Sequence, residues 1–107
     1  MGRIIYVEKT ITVSSGQSAQ STIYVRTGEK QAYIHYLAIK TDANTSVAEL
    51  YIDGYKFSPS LGASTAFELG NPILFDKIPI NDSISISITA SGTASTTVIV
   101  YAYIEVE

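Results

Sequence analysis

Ser83-Ile84-Ser85-Ile86-Ser87-Ile88-Thr89-Ala90 alternates without a break: four even positions are apolar and four odd ones carry hydroxyls. A strict period of two belongs to a strand with one dry and one wet face. Asn81-Asp82 before it and Ser91-Gly92-Thr93 after it are turn compositions. Alternation resumes from Ala94 to Glu107, with Val98, Val100, Ala102, Ile104 and Val106 on one side. The two strands are expected to form an antiparallel hairpin.

Upstream the same reading continues. Residues 48–52 and 55–57 flank Asp53-Gly54, whose residue types suit the positive φ angles of a type I′ hairpin turn. Strands are expected at 20–26 and 31–41, joined through Thr27-Gly28-Glu29-Lys30, and at 3–13, closed by Ser14-Ser15-Gly16-Gln17-Ser18. Shorter pieces at 65–69 and 73–80 complete the set. Pro72 and Pro79 lack an N–H donor, so the strand between them belongs at a sheet edge or is interrupted. No window carries a helical period, and residues 60–66 make at most one turn of helix.

Composition agrees. Thirteen Ser and eleven Thr supply polarity, while fifteen Ile, seven Val and eight Tyr supply β-branched and aromatic bulk. The 107 residues are read as one domain spanning 1–107. About eight strands with frequent turns predict an all-β, two-sheet antiparallel β-sandwich. Jelly-roll topology is preferred over an immunoglobulin fold: the strand count is eight, the longest connections fall near 41–47 and 58–64, and the Cys and Trp landmarks of immunoglobulin domains are absent.

Three strands carry apolar residues on both faces, where a sandwich needs only one dry face. In the third, Tyr33, Leu37 and Ile39 alternate with Ala32, Ile34, Tyr36 and Ala38. In the last, Ile99, Tyr101 and Tyr103 oppose Val98, Val100 and Ile104; in the first, Ile4 and Tyr6 oppose Ile5 and Val7. The surplus points to a subunit interface made by Tyr6, Tyr33, Tyr36, Ile99, Tyr101 and Tyr103. The alternative is tyrosine covering a solvated sheet, its hydroxyl tolerating water.

Catalytic chemistry finds little to work with. With no Cys and one His, thiolate and multi-His metal sites are excluded, and His35 in a strand has no placed nucleophile or orienting carboxylate. No nucleophile elbow, phosphate loop or EF-hand pattern occurs, and Gly70-Asn71-Pro72 reads as an ordinary turn. Asp42 with Asn44, or Asp76 with Asn81 and Asp82, offers oxygen ligands to calcium, but turn capping explains each equally well. No cofactor is expected. A net charge of −3 with seven scattered Lys and Arg argues against nucleic acid. Tyr51 and Tyr55 flank the Asp53-Gly54 turn, and as exposed aromatics they are candidates for stacking on a glycan; cross-strand tyrosine pairing is the alternative.

The apolar run after Met1-Gly2-Arg3 is four residues, too short for a signal peptide or a membrane span, and Tyr6 stands where a myristoylation signal wants Ser or Thr. This short start, the Ser/Thr-Ile alternation of 83–90, the tyrosine-rich strand 98–106 and the lack of Cys together resemble the small single-jelly-roll structural proteins of bacterial and archaeal viruses, of the capsid decoration and turret type. The resemblance implies a non-enzymatic protein made in the host cytoplasm and located in the virion. Its implied partners are copies of itself, with a trimer favoured, and other virion proteins, without nucleic acid or membrane. A carbohydrate-binding β-sandwich is the alternative.

Overall fold

Ile84, Ile86 and Ile88 are fully buried in the computed structural model, so the alternating stretch turns its isoleucines into the core. The structure describes residues 2–28, 31–56 and 73–107, with backbone alone at 73–76. Eight strands run through them, without a helix among the described residues: β1 (Arg3–Val13), β2 (Ser18–Val25), β3 (Ala32–Lys40), β4 (Thr45–Ile52), β5 (Tyr55–Lys56), β6 (Ile73–Pro79), β7 (Ser83–Ala90) and β8 (Thr96–Val106). They form two four-stranded sheets. Sheet I is ordered β1-β8-β3-β6 and sheet II β2-β7-β4-β5, with every neighbouring pair antiparallel. Ile34, Leu37, Val100 and Ile104 of sheet I join Leu50, Ile84, Ile86 and Ile88 of sheet II in a single core cluster. The expected all-β two-sheet sandwich is what the chain forms.

One expected pairing is not made. β7 and β8 do not form a hairpin: β7 lies between β2 and β4 in sheet II, and β8 between β1 and β3 in sheet I. Each has a complete apolar face, and those faces meet across the core instead of lying side by side. The corner between them is pinned by other loops, since Ser91 N–H donates to Asn44 O at 2.8 Å and Gly16 N–H to Ser91 O at 2.7 Å. The β4–β5 hairpin does form, with Asp53 and Gly54 at φ 55° and 81°, in the left-handed region that a type I′ turn requires.

β3 does not keep strict alternation along its length. The pairing with β8 runs Ile34 to Ile104, then Tyr36 to Tyr103, leaving His35 as an extra residue on β3. This bulge reverses the in–out alternation. Ala32 and Ile34 point inward before it and Leu37 and Ile39 after it, all fully buried. Tyr33 and Tyr36, which strict alternation assigns to opposite faces, therefore share one.

β6 occupies the edge of sheet I, as its proline predicts. The connection between β3 and β4 spans only residues 41–44. The expected strand at 65–69, the helical turn at 60–66, the connection near 58–64 and the turn at Gly70-Asn71-Pro72 lie outside the described residues, as do Glu29 and Lys30.

Candidate assembly interface

The outer faces of the two sheets have opposite chemistry because the residues left over from core packing differ. On sheet II the outward positions of β2 and β7 carry hydroxyls and an amide that bond one another: Ser18 Oγ lies 2.8 Å from Thr89 Oγ1, and Gln20 Nε2 donates to Ser85 Oγ at 2.8 Å. Glu49 and Lys56 close an ion pair at 2.8 Å beside them. This surface is mainly polar, with Val25, paired with Ser83 and 48% exposed, and Tyr51, paired with Ser85, among its apolar members.

Sheet I presents tyrosine instead. Registers of β1, β8 and β3 set Tyr6, Tyr103 and Tyr36 side by side in one row across three strands. Their ring centroids are 5.4 Å apart from Tyr6 to Tyr103 and 5.1 Å from Tyr103 to Tyr36, with tilts of 48° and 54°. Tyr101 stands one row along, 6.3 Å from Tyr6. Such tilted contacts satisfy the ring quadrupoles without presenting a flat stacking platform. Ile99 follows Tyr101 on the same face, paired with Thr10 on one side and Lys40 on the other. Tyr6 remains 51% exposed and Tyr103 42% although their rings are in contact, and Ile4 on the same face is 55% exposed.

Polar groups frame the row. The Tyr6 hydroxyl donates to Glu8 Oε1 at 2.8 Å. Displacement of water by the neighbouring rings, reinforced by the Glu8 carboxylate, pushes the Tyr6 phenol up to about 12. At the other end, His35 Nε2 is 2.7 Å from Glu105 Oε1, Lys77 Nζ is 3.7 Å from Glu105 Oε2, and the same ammonium sits 4.5 Å over the Tyr33 ring. All six residues expected at an interface thus lie on the outer face of sheet I. Glu8, Glu105 and Lys40 escaped sequence reading, because only the strand register shows that they border the tyrosines.

Tyr51 and Tyr55 do not converge. Tyr51 is paired with Lys56 and Ile52 with Tyr55, so the two tyrosines fall on opposite faces of the hairpin, with Tyr55 80% exposed. The expected cross-strand tyrosine pair is likewise not formed. Two loop carboxylates, Asp53 and Asp42, are engaged by the chain itself. Asp53 accepts from three consecutive backbone N–H groups, those of Asn81, Asp82 and Ser83, at 2.6–3.1 Å. Asp42 accepts from Thr96 Oγ1 at 2.6 Å, Asn44 N–H at 2.8 Å and Thr97 N–H at 3.0 Å. Among the described residues no group of three or more His, Asp or Glu is placed to hold a metal ion, and the side chain of Asp76 lies outside them.

The fold is a two-sheet antiparallel β-sandwich. It is similar to a chain of the cyanophage Pam1 capsid asymmetric unit, with a TM-score of 0.61 and 15% identity over 99% of this chain and 86% of that one. A chain of the Bacillus endospore appendages, described as a novel family of disulfide-linked pili, aligns with a TM-score of 0.48 and 16% identity over 99% of this chain and 89% of that one. No protein-family model matches the sequence, and no curated protein matches it.

Proposed function

We propose that this chain is a non-enzymatic structural protein of a virion, a capsid, decoration or related component, that acts by assembling with copies of itself and with other virion proteins. The observation that carries the reading is the half-exposed tyrosine row of sheet I, an aromatic surface of the kind enriched in interface cores. The cyanophage capsid chain supports the virion setting through its shared fold. Strand orders β1-β8-β3-β6 and β2-β7-β4-β5 support a jelly roll: among the described strands only β4 and β5 are consecutive neighbours, and the other consecutive strands lie in different sheets. Synthesis in the host cytoplasm and incorporation into particles follow from the same reading. Negative-stain microscopy of the purified protein at increasing concentration tests it. Discrete, uniform assemblies are expected; isolated single copies at every concentration contradict it.

Glycan binding is the second reading, and the observation favouring it is the exposure of Tyr55 at the hairpin tip. Because Tyr51 lies on the other face, Tyr55→Ala alone should abolish glycan-array binding while Tyr51→Ala leaves it intact.

A further inference from the structure

The sheet edges resist strand addition, which narrows how a second copy can attach. Lys9 on edge strand β1 sends its ammonium to Thr22 O at 3.1 Å. β2 and β6 carry register breaks, β6 with Lys77 at φ 54° and a proline, and β5 is two residues long. Inward charges, bulges, proline and very short strands are the features that keep edges from pairing. The outer face of sheet I has no such protection. Four strands about 4.8 Å apart and up to about 36 Å long give it a footprint on the order of 700 Å², close to the roughly 800 Å² per partner of a stable interface.

Charge on this face is laid out asymmetrically about β8. Glu8 on β1 is paired with Tyr101, and Lys40 on β3 is paired with Ile99, one row further along. Resting on the self-assembly reading above, we propose that the tyrosine face packs against the same face of a second copy across a two-fold axis running along β8. That rotation sets β8 over β8 and exchanges β1 with β3. Tyr6 of each copy then meets Tyr36 of the other, and Glu8 lies over Ala38, one outward position, about 7 Å, from Lys40. A lysine side chain spans that distance, so the carboxylate–ammonium pair forms twice. The same axis also brings Glu105 over Glu105, each carboxylate already held by its own chain's His35 at 2.7 Å and Lys77 at 3.7 Å. A two-fold running across the strands through Tyr101 instead sets Glu8 against Glu8. A trimer joins unlike surfaces and is a different arrangement. The tilted rings favour a packed protein partner over a stacked sugar.

Sedimentation equilibrium of the full chain and its variants tests the arrangement, with circular dichroism confirming that each variant folds. Wild type should have twice the 11.6 kDa chain mass. Tyr6→Ser should raise the dimer dissociation constant about tenfold or more. Glu8→Lys and Lys40→Glu should each do the same, because each creates two like-charge contacts, and the double reversal should return to within about threefold of wild type. Should a reversal fail to fold, Glu8→Gln and Lys40→Gln should each weaken the dimer about threefold. A rescued double variant cannot come from loss of the Tyr6–Glu8 bond, which the lysine at position 8 also removes. A dimer broken by Tyr6→Ser but not restored by the double reversal overturns the axis. A dimer or trimer unmoved by all these variants overturns the face while leaving self-assembly standing. A monomer at every concentration, with or without glycan bound, overturns both.

Discussion

Asp42 ties the loop after β3 to the start of β8. The Thr96 hydroxyl, followed by the Thr97 and Asn44 N–H groups, holds its carboxyl below the ordinary carboxylate range. Because Thr96 donates to Asp42, the buried Thr45 hydroxyl, 2.7 Å away, donates to Thr96. A depressed folded pKa contributes stability that is present above the ordinary value and lost as pH falls through the lowered one. Asp42→Ala should therefore cost about 1–2 kcal/mol in urea denaturation at neutral pH, and the gap to wild type should close in acid. Asp53 combines a positive φ with a carboxylate that caps three N–H groups. Asp53→Gly keeps the conformation and loses the acceptor, whereas Asp53→Ala loses both. Thermal unfolding should place the alanine variant below the glycine variant by about 1 kcal/mol. Tyr6 makes the opposite excursion: its raised pKa contributes stability present below the ordinary phenol value and lost as pH rises through about 12. Ultraviolet titration should find the Tyr6 phenol ionising late, and earlier in Glu8→Gln.

At the scale of elements, two bulges shape sheet I. The one at His35 was invisible in the sequence because Ala32 to Ile39 is apolar on both parities, so nothing in the pattern marks where the alternation reverses. The β4–β5 hairpin was legible because Asp53-Gly54 encodes its own turn, and β7 because its isoleucines alternate without exception. Pairing between β7 and β8 was not legible, since partner choice depends on which strands already flank each one. The tyrosines of the outer face were readable one by one, while their order in a row and their charged borders needed the register. In β6, Lys77 holds a positive φ and covers Tyr33. Lys77→Gly relieves the backbone while losing the ring contact, about 1 kcal/mol each way, and should be near neutral; Lys77→Ala should be about 1 kcal/mol less stable than the glycine variant in thermal denaturation.

Across the whole molecule, the outer faces of the two sheets differ in chemistry. Sheet II ends in hydroxyls and an ion pair that satisfy one another, while sheet I ends in aromatic rings that remain half exposed after packing together. Under the proposed assembling role, a second copy covers these rings. The most direct measurement is the solution mass by light scattering over a dilution series, run on wild type beside Tyr6→Ser. A multimer that falls to single chains at higher concentration in the variant than in wild type is the predicted result. A wild-type protein that stays at the mass of one chain at the highest concentration, or an assembly indifferent to Tyr6, contradicts it.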